Sequence, residues 1–202
     1  MVACSREEPV RRGSAARRVT YLLEPKNWII ATVVAVGWKA DGAAGLGWGL
    51  LAAFFAAVLP TAFITRGIRR GRWEDRNVGA RRPRLIVLSF IAASLATGFV
   101  LLGLLGAPPE LTGYFGCLLA SVAVLAVITA VWKISIHCAV ASGSVTILAL
   151  LYGPWLLPAY LLVALTAWSR VALKDHTAAQ AVAGSVLGAA AAVVTYAVIP
   201  RP

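Results

Sequence analysis

The sequence predicts an all-α polytopic integral membrane protein, a bundle of six or seven transmembrane helices. Three observations carry that expectation. Of 202 residues, 60% are hydrophobic and only 13% charged, where a soluble domain carries about 45–50% apolar and about 25% charged residues. Mean hydropathy is +0.81, and the excess lies in long uninterrupted runs, several near the roughly 20 residues that a helix needs to cross the hydrocarbon. The runs are too long and too uniformly apolar for the alternating strands of a barrel, so helices must satisfy the backbone in lipid.

Residues 1–26 form a basic N-terminal tail (Arg6, Arg11, Arg12, Arg17, Arg18 and Lys26), open to disorder or to a surface-lying amphipathic segment. Residues 27–202 form one transmembrane domain. The first two dozen residues lack an apolar core, so no cleavable signal peptide is expected and the apolar segments direct insertion. Seven runs follow, at roughly 28–38, 44–64, 85–105, 111–132, 136–152, 154–168 and 177–199. The second, third, fourth and seventh are long enough to span. The first is short, and either crosses with help from Tyr21–Glu24 or only dips into the bilayer. Gly153-Pro154 is a turn signal, so the fifth and sixth runs are expected to form a tight helical hairpin. Gly184 and Gly188, four apart among alanines, let helices approach closely, which speaks of packing. Trp28, Trp38, Trp132 and Trp168 stand near run ends as interface anchors.

The formal net charge is +11, but the basic residues flank apolar runs, so anionic lipid headgroups are the expected partner. No aromatic-and-basic soluble module is present, which argues against nucleic acid. Cys4, Cys117 and Cys138 show neither metal-site spacing nor a disulfide framework. If all seven runs cross, one face collects 17 of the 19 lysines and arginines and the other keeps Lys39 and Arg201. The positive-inside rule makes the charged face cytoplasmic, in the cell membrane.

Polar groups beside membrane spans mark functional sites by default, and three clusters stand out. They are the basic loop over 66–84, the stretch 132–137, and the hinge 169–180, which carries Arg170, Lys174, Asp175, His176 and Gln180. Two spans separate each cluster from the next, so all three return to one face. His137 and His176, the only histidines, are thereby expected to share one site.

Ser169-Arg170, five residues, then His176 resembles the third motif of the type 2 phosphatidic acid phosphatase superfamily, integral-membrane lipid phosphatases related to vanadium haloperoxidases. Gln180 stands where many members carry an acid, and this His-Thr-x-x-Gln setting is similar to the dolichyl diphosphatase and glucose-6-phosphatase branches. The first motif, Lys, six residues, Arg-Pro, is matched by Arg82-Pro83, with Asp75 at the lysine position and Arg76 beside it. The second, Pro-Ser-Gly-His, is matched by Ile134-Ser135-Ile136-His137, keeping the serine and the histidine. The likeness covers about residues 70–190.

The resemblance implies a lipid phosphate or diphosphate substrate, a polyprenyl one above all. It implies that His176 attacks phosphorus, that His137 acts as general acid and then general base, and that Gln180 holds the Nδ1–H of His176. Arg82 and Arg170 would bind the phosphate, helped by Arg76, Lys133 and Ser135. Guanidinium groups suit this task because their planar fork matches phosphate oxygens. The scheme needs no metal and no other cofactor. Two alternatives stay open: an altered relative that binds or carries a lipid (di)phosphate without cleaving it, and an enzyme using Mg²⁺ at Glu74 and Asp75 on a prenyl diphosphate. Oligomeric state is not legible.

Overall fold

Proline and glycine punctuate a chain that is otherwise helical almost throughout. The computed structural model describes residues 7–72 and 81–198, with side chains over 13–72 and 83–198. Its helices are α1 (Glu7–Leu22), α2 (Pro25–Ala53), a π-helical turn (Phe54–Val58), α3 (Leu59–Arg69), α4 (Arg81–Leu104), α5 (Pro109–Val131), α6 (Ile136–Tyr152), a 3₁₀ segment (Pro154–Ala159), α7 (Tyr160–Ala172) and α8 (Ala178–Val198). Among the described residues there is no strand. The fold is an all-α polytopic bundle. By length and apolar composition five helical stretches can cross a membrane, and α6 adds a shorter apolar helix.

The first of those stretches, Gly13–Arg69, folds back on itself. Inside α2, Asp41 (φ −147°) and Gly42 (φ 53°) leave the helical region, and the positive φ at Gly42 is one that glycine adopts without a steric penalty. Gly37 then lies against Gly45, and Gly49 against Val33 and Val34. Numbers that fall in one limb as they rise in the other mean antiparallel packing. The glycines make this close approach possible, since a Cβ on Gly37 or Gly45 would overlap the other's carbonyl. The short first run is therefore half of a tight helical hairpin, and Tyr152 of α6 ties it down by donating to the Ala35 carbonyl at 2.7 Å.

The π turn stops for an identifiable reason. A π helix bonds N–H of residue i to the carbonyl of residue i−5, and the Phe55 carbonyl would need the N–H of residue 60. Pro60 has none. Ser94 of α4 takes its place, its hydroxyl donating to the Phe55 carbonyl at 2.6 Å.

The main core gathers Val33, Val36, Leu95, Leu102, Phe115 and Ile147 from α2, α4, α5 and α6. A second contact fixes the site. Gly184 of α8 lies on the Ser135 carbonyl, and Gly188 on the Ala139 carbonyl and close to Gly143. Here the numbers rise together, so α6 and α8 run parallel with their N-termini side by side. The packing that Gly184 and Gly188 foretold is realised. At the sixth and seventh runs, Gly153 (φ 121°) makes the expected turn, and Trp155 donates its indole N–H to the Tyr152 carbonyl.

The N-terminal tail is helical over Glu7–Leu22, and that helix packs on α7. Thr20 donates to the Ser169 hydroxyl at 3.1 Å, and Ser169 donates in turn to the Thr166 carbonyl at 2.7 Å.

Candidate active site

The site is built where helices begin. α2, α4, α6 and α8 all start at one end of the bundle, and residues at or near each start line one cavity of about 200 Å³. They are Lys26, Arg84, His137 and His176, joined by Arg170 from the last turn of α7. Unpaired N–H groups and aligned peptide dipoles make a helix N-terminus attractive to anions. From this polar end the cavity continues inward along Val87, Leu88 and Ile91 of α4, Val122 and Leu125 of α5, and Ala57 of the π turn. Arg84 to Ile91 is seven residues, or about 10 Å of depth at about 1.5 Å per residue.

Arg170 is the largest fully buried side chain among the described residues, 1% exposed. A guanidinium withdrawn from water must be paired, and Asp175 lies 2.9 Å from its Nη2. The turn after α7 makes this contact. Lys174 adopts the left-handed conformation (φ 58°). Its N–H bonds the Val171 carbonyl at 2.9 Å, and the Asp175 N–H bonds the Arg170 carbonyl at 3.1 Å. That pair is a Schellman ending. It brings Asp175 back onto the guanidinium and delivers the His176 N–H to the same carbonyl at 3.3 Å.

Thr177 and Gln180 then open α8 as a capping box. The Gln180 N–H donates to the Thr177 hydroxyl at 3.3 Å, and the Thr177 N–H donates to Gln180 Oε1 at 3.1 Å. The second bond fixes which way the amide faces. The same Oε1 lies 3.3 Å from His176 Nδ1. An amide oxygen only accepts, so Nδ1 carries the proton and Nε2 keeps its lone pair. The order of causes on the ring is clear: burial first, then the charges of Arg170, Lys133 and Arg84, push the His176 pKa down from 6.5 to about 4, against the hydrogen bond to Gln180. At neutral pH the imidazole is uncharged.

The residues expected from sequence distribute as follows. His137, His176 and Arg170 line the cavity together, and Gln180 stands behind His176. Lys133 is half-buried and acts on His176 through its charge. Ser135 is fully buried and caps α6, its hydroxyl accepting from the Cys138 N–H at 3.4 Å, while its neighbours Ile134 and Ile136 reach the cavity. Arg76, Glu74 and Asp75 lie outside the described residues, as does the side chain of Arg82. Two lining cations were not assigned to the site from sequence. Arg84 sits two residues beyond Arg82, and Lys26 sits at the start of α2, ion-paired with Glu24. The signal for Arg84 was present, an arginine on the first turn of a span, but only packing shows that it turns inward. Among the described residues no group of three or more His, Cys, Asp or Glu could hold one metal ion.

Residues 129–202 match the family model of the PAP2 superfamily. No curated protein and no solved structure gives a significant match to the chain. The matched stretch holds His137, Arg170 and His176, which line one cavity, and Gln180 behind His176; over those residues the chain is similar to the PAP2 superfamily, whose members are generally phosphatases.

Proposed function

We propose that the protein is a lipid phosphatase that cleaves a phosphate ester or diphosphate of a polyprenyl lipid through a metal-independent phosphohistidine. One observation carries the reading. The cavity has two imidazoles and several cations at its polar end and an apolar interior along α4 and α5, which suits an amphiphile with a phosphate head. A long isoprenoid tail would leave along the apolar wall.

The chemistry follows from the groups present. Arg84, Arg170 and Lys26 hold the phosphoryl oxygens, with Lys133 adding positive potential, and the motif likeness assigns Arg82 and Arg76 to the same task. Such donors matter most where charge develops in the transition state. His176 Nε2 attacks phosphorus, a P–N bond forms, and the P–O bond to the lipid breaks. His137 protonates the departing oxygen. It then takes a proton from water as that water attacks phosphorus, the P–N bond breaks, and phosphate leaves. Covalent catalysis of this kind divides one hard displacement into two easier ones, and the acid–base step typically contributes about 10²–10⁴-fold.

The test uses purified protein in detergent with polyprenyl diphosphate, polyprenyl monophosphate and phosphatidate. Inorganic phosphate should be released, fastest from a polyprenyl substrate and unchanged by EDTA. His176→Ala should lower the rate by at least about 10³-fold, as loss of a nucleophile does. An acid-labile, base-stable phosphoryl label should be trapped on wild type and be missing from that variant. No release from any of the three lipids, or His176→Ala equal to wild type, overturns the proposal; tight binding without turnover would point to a carrier instead.

A further inference from the structure

A second cavity, of about 910 Å³, opens between α2, α3 and α4. Its mouth is basic: Lys26, Arg66, Arg69 and Arg70 line it, and the three arginines are exposed at the end of α3. Its body is apolar, walled by Ile30, Val58, Leu59, Ala62 and the stacked rings of Phe63 and Phe90, 3.9 Å apart and 5° from parallel. The groove shares Lys26, Ala57, Thr61 and Thr65 with the candidate active-site cavity. The π turn lies between the two, since Ala57 faces both, and π turns recur at functional sites.

We propose that this groove is a binding site for an anionic phospholipid of the surrounding bilayer, with its headgroup on Arg66, Arg69 and Arg70 and an acyl chain along Phe63 and Phe90. Charge complementarity selects the occupant. The groove pairs a cationic rim with an apolar wall at the level of the basic membrane face, and a zwitterionic lipid would leave the rim uncompensated. A guanidinium offers a phosphodiester two parallel hydrogen bonds, and three of them stand together on one helix end. Nothing in this depends on turnover in the neighbouring cavity, so its failure and the failure of the phosphatase reading are separable.

Native mass spectrometry of the full chain, released from micelles doped with phosphatidylglycerol or phosphatidylcholine, reads the site directly. Wild type should retain phosphatidylglycerol in preference to phosphatidylcholine. Each basic residue near a membrane surface is worth about 1 kcal/mol, so replacing Arg66, Arg69 and Arg70 with Gln should reduce that preference on the order of 100-fold. Ala62→Trp keeps every charge and fills the groove; it should also lose the retained lipid. If the triple variant keeps its preference, the site is wrong. If Ala62→Trp retains phosphatidylglycerol as wild type does, the binding is diffuse surface attraction and the groove is not the site. Displacement of phosphatidylglycerol by an equimolar polyprenyl monophosphate would likewise overturn it, making the groove part of the substrate's path.

Discussion

His176 shows how residue-scale surroundings set chemistry. It is 8% exposed and faces the positive charges of Arg170, Lys133 and Arg84, so its imidazolium is disfavoured and its pKa falls to about 4. The sign follows directly: the folded chain binds this proton less readily than the unfolded one, so the ring stays neutral as pH falls past 6.5. Nitrogen-15 NMR of the histidine side chains, with His137→Ala to leave one signal, should show the neutral pattern down to about pH 5. A midpoint near 6.5 would contradict the arrangement. Gln180→Glu places a carboxylate on Nδ1 and should move that midpoint upward, since a nearby negative charge favours the protonated ring.

At the scale of elements, the decisive contact is α6 on α8. Gly188 has the Ala139 carbonyl where a side chain would begin, so Gly188→Val must push the helices apart. Overpacking of this kind costs about 1–3 kcal/mol, and a lower unfolding midpoint in detergent is expected. The displacement would also move His137, on α6, from His176, at the start of α8. Phosphate release should then fall further than thermal stability alone accounts for; unchanged melting and unchanged rate would show that the glycine is dispensable. This contact was legible in sequence because small residues four apart form one stripe on a helix. The Ser169, His176 and Gln180 spacing was legible for a similar reason, being local to one turn and one cap. Arg84 and Lys26 were not. Each is one cation among several near a helix start, and its direction is decided by α5, α6 and α7, which lie far along the chain. The π turn left a visible proline at 60, yet its partner Ser94 is 39 residues away, and no local pattern joins them.

For the whole molecule, the four helix starts that gather at the site place the Asp41-Gly42 turn at the opposite end of the first hairpin. By the positive-inside rule, the distribution of lysine and arginine predicts a cytoplasmic site face. Single cysteines introduced at Gly42 and at Arg72, in a chain with its native cysteines replaced, test this in intact cells. A membrane-impermeant maleimide should label position 42 from outside and position 72 only after permeabilisation. The reverse pattern would put the cavity on the outer face and its substrate in the other leaflet.

One oxygen, Gln180 Oε1, receives both the Thr177 amide that starts α8 and the His176 ring nitrogen. Secondary structure and reactivity are thus read out by the same atom. A nascent chain whose last helix has not yet wound has no fixed tautomer at His176, and so no lone pair held at Nε2. The orientation of this histidine is therefore settled only when the fold is finished.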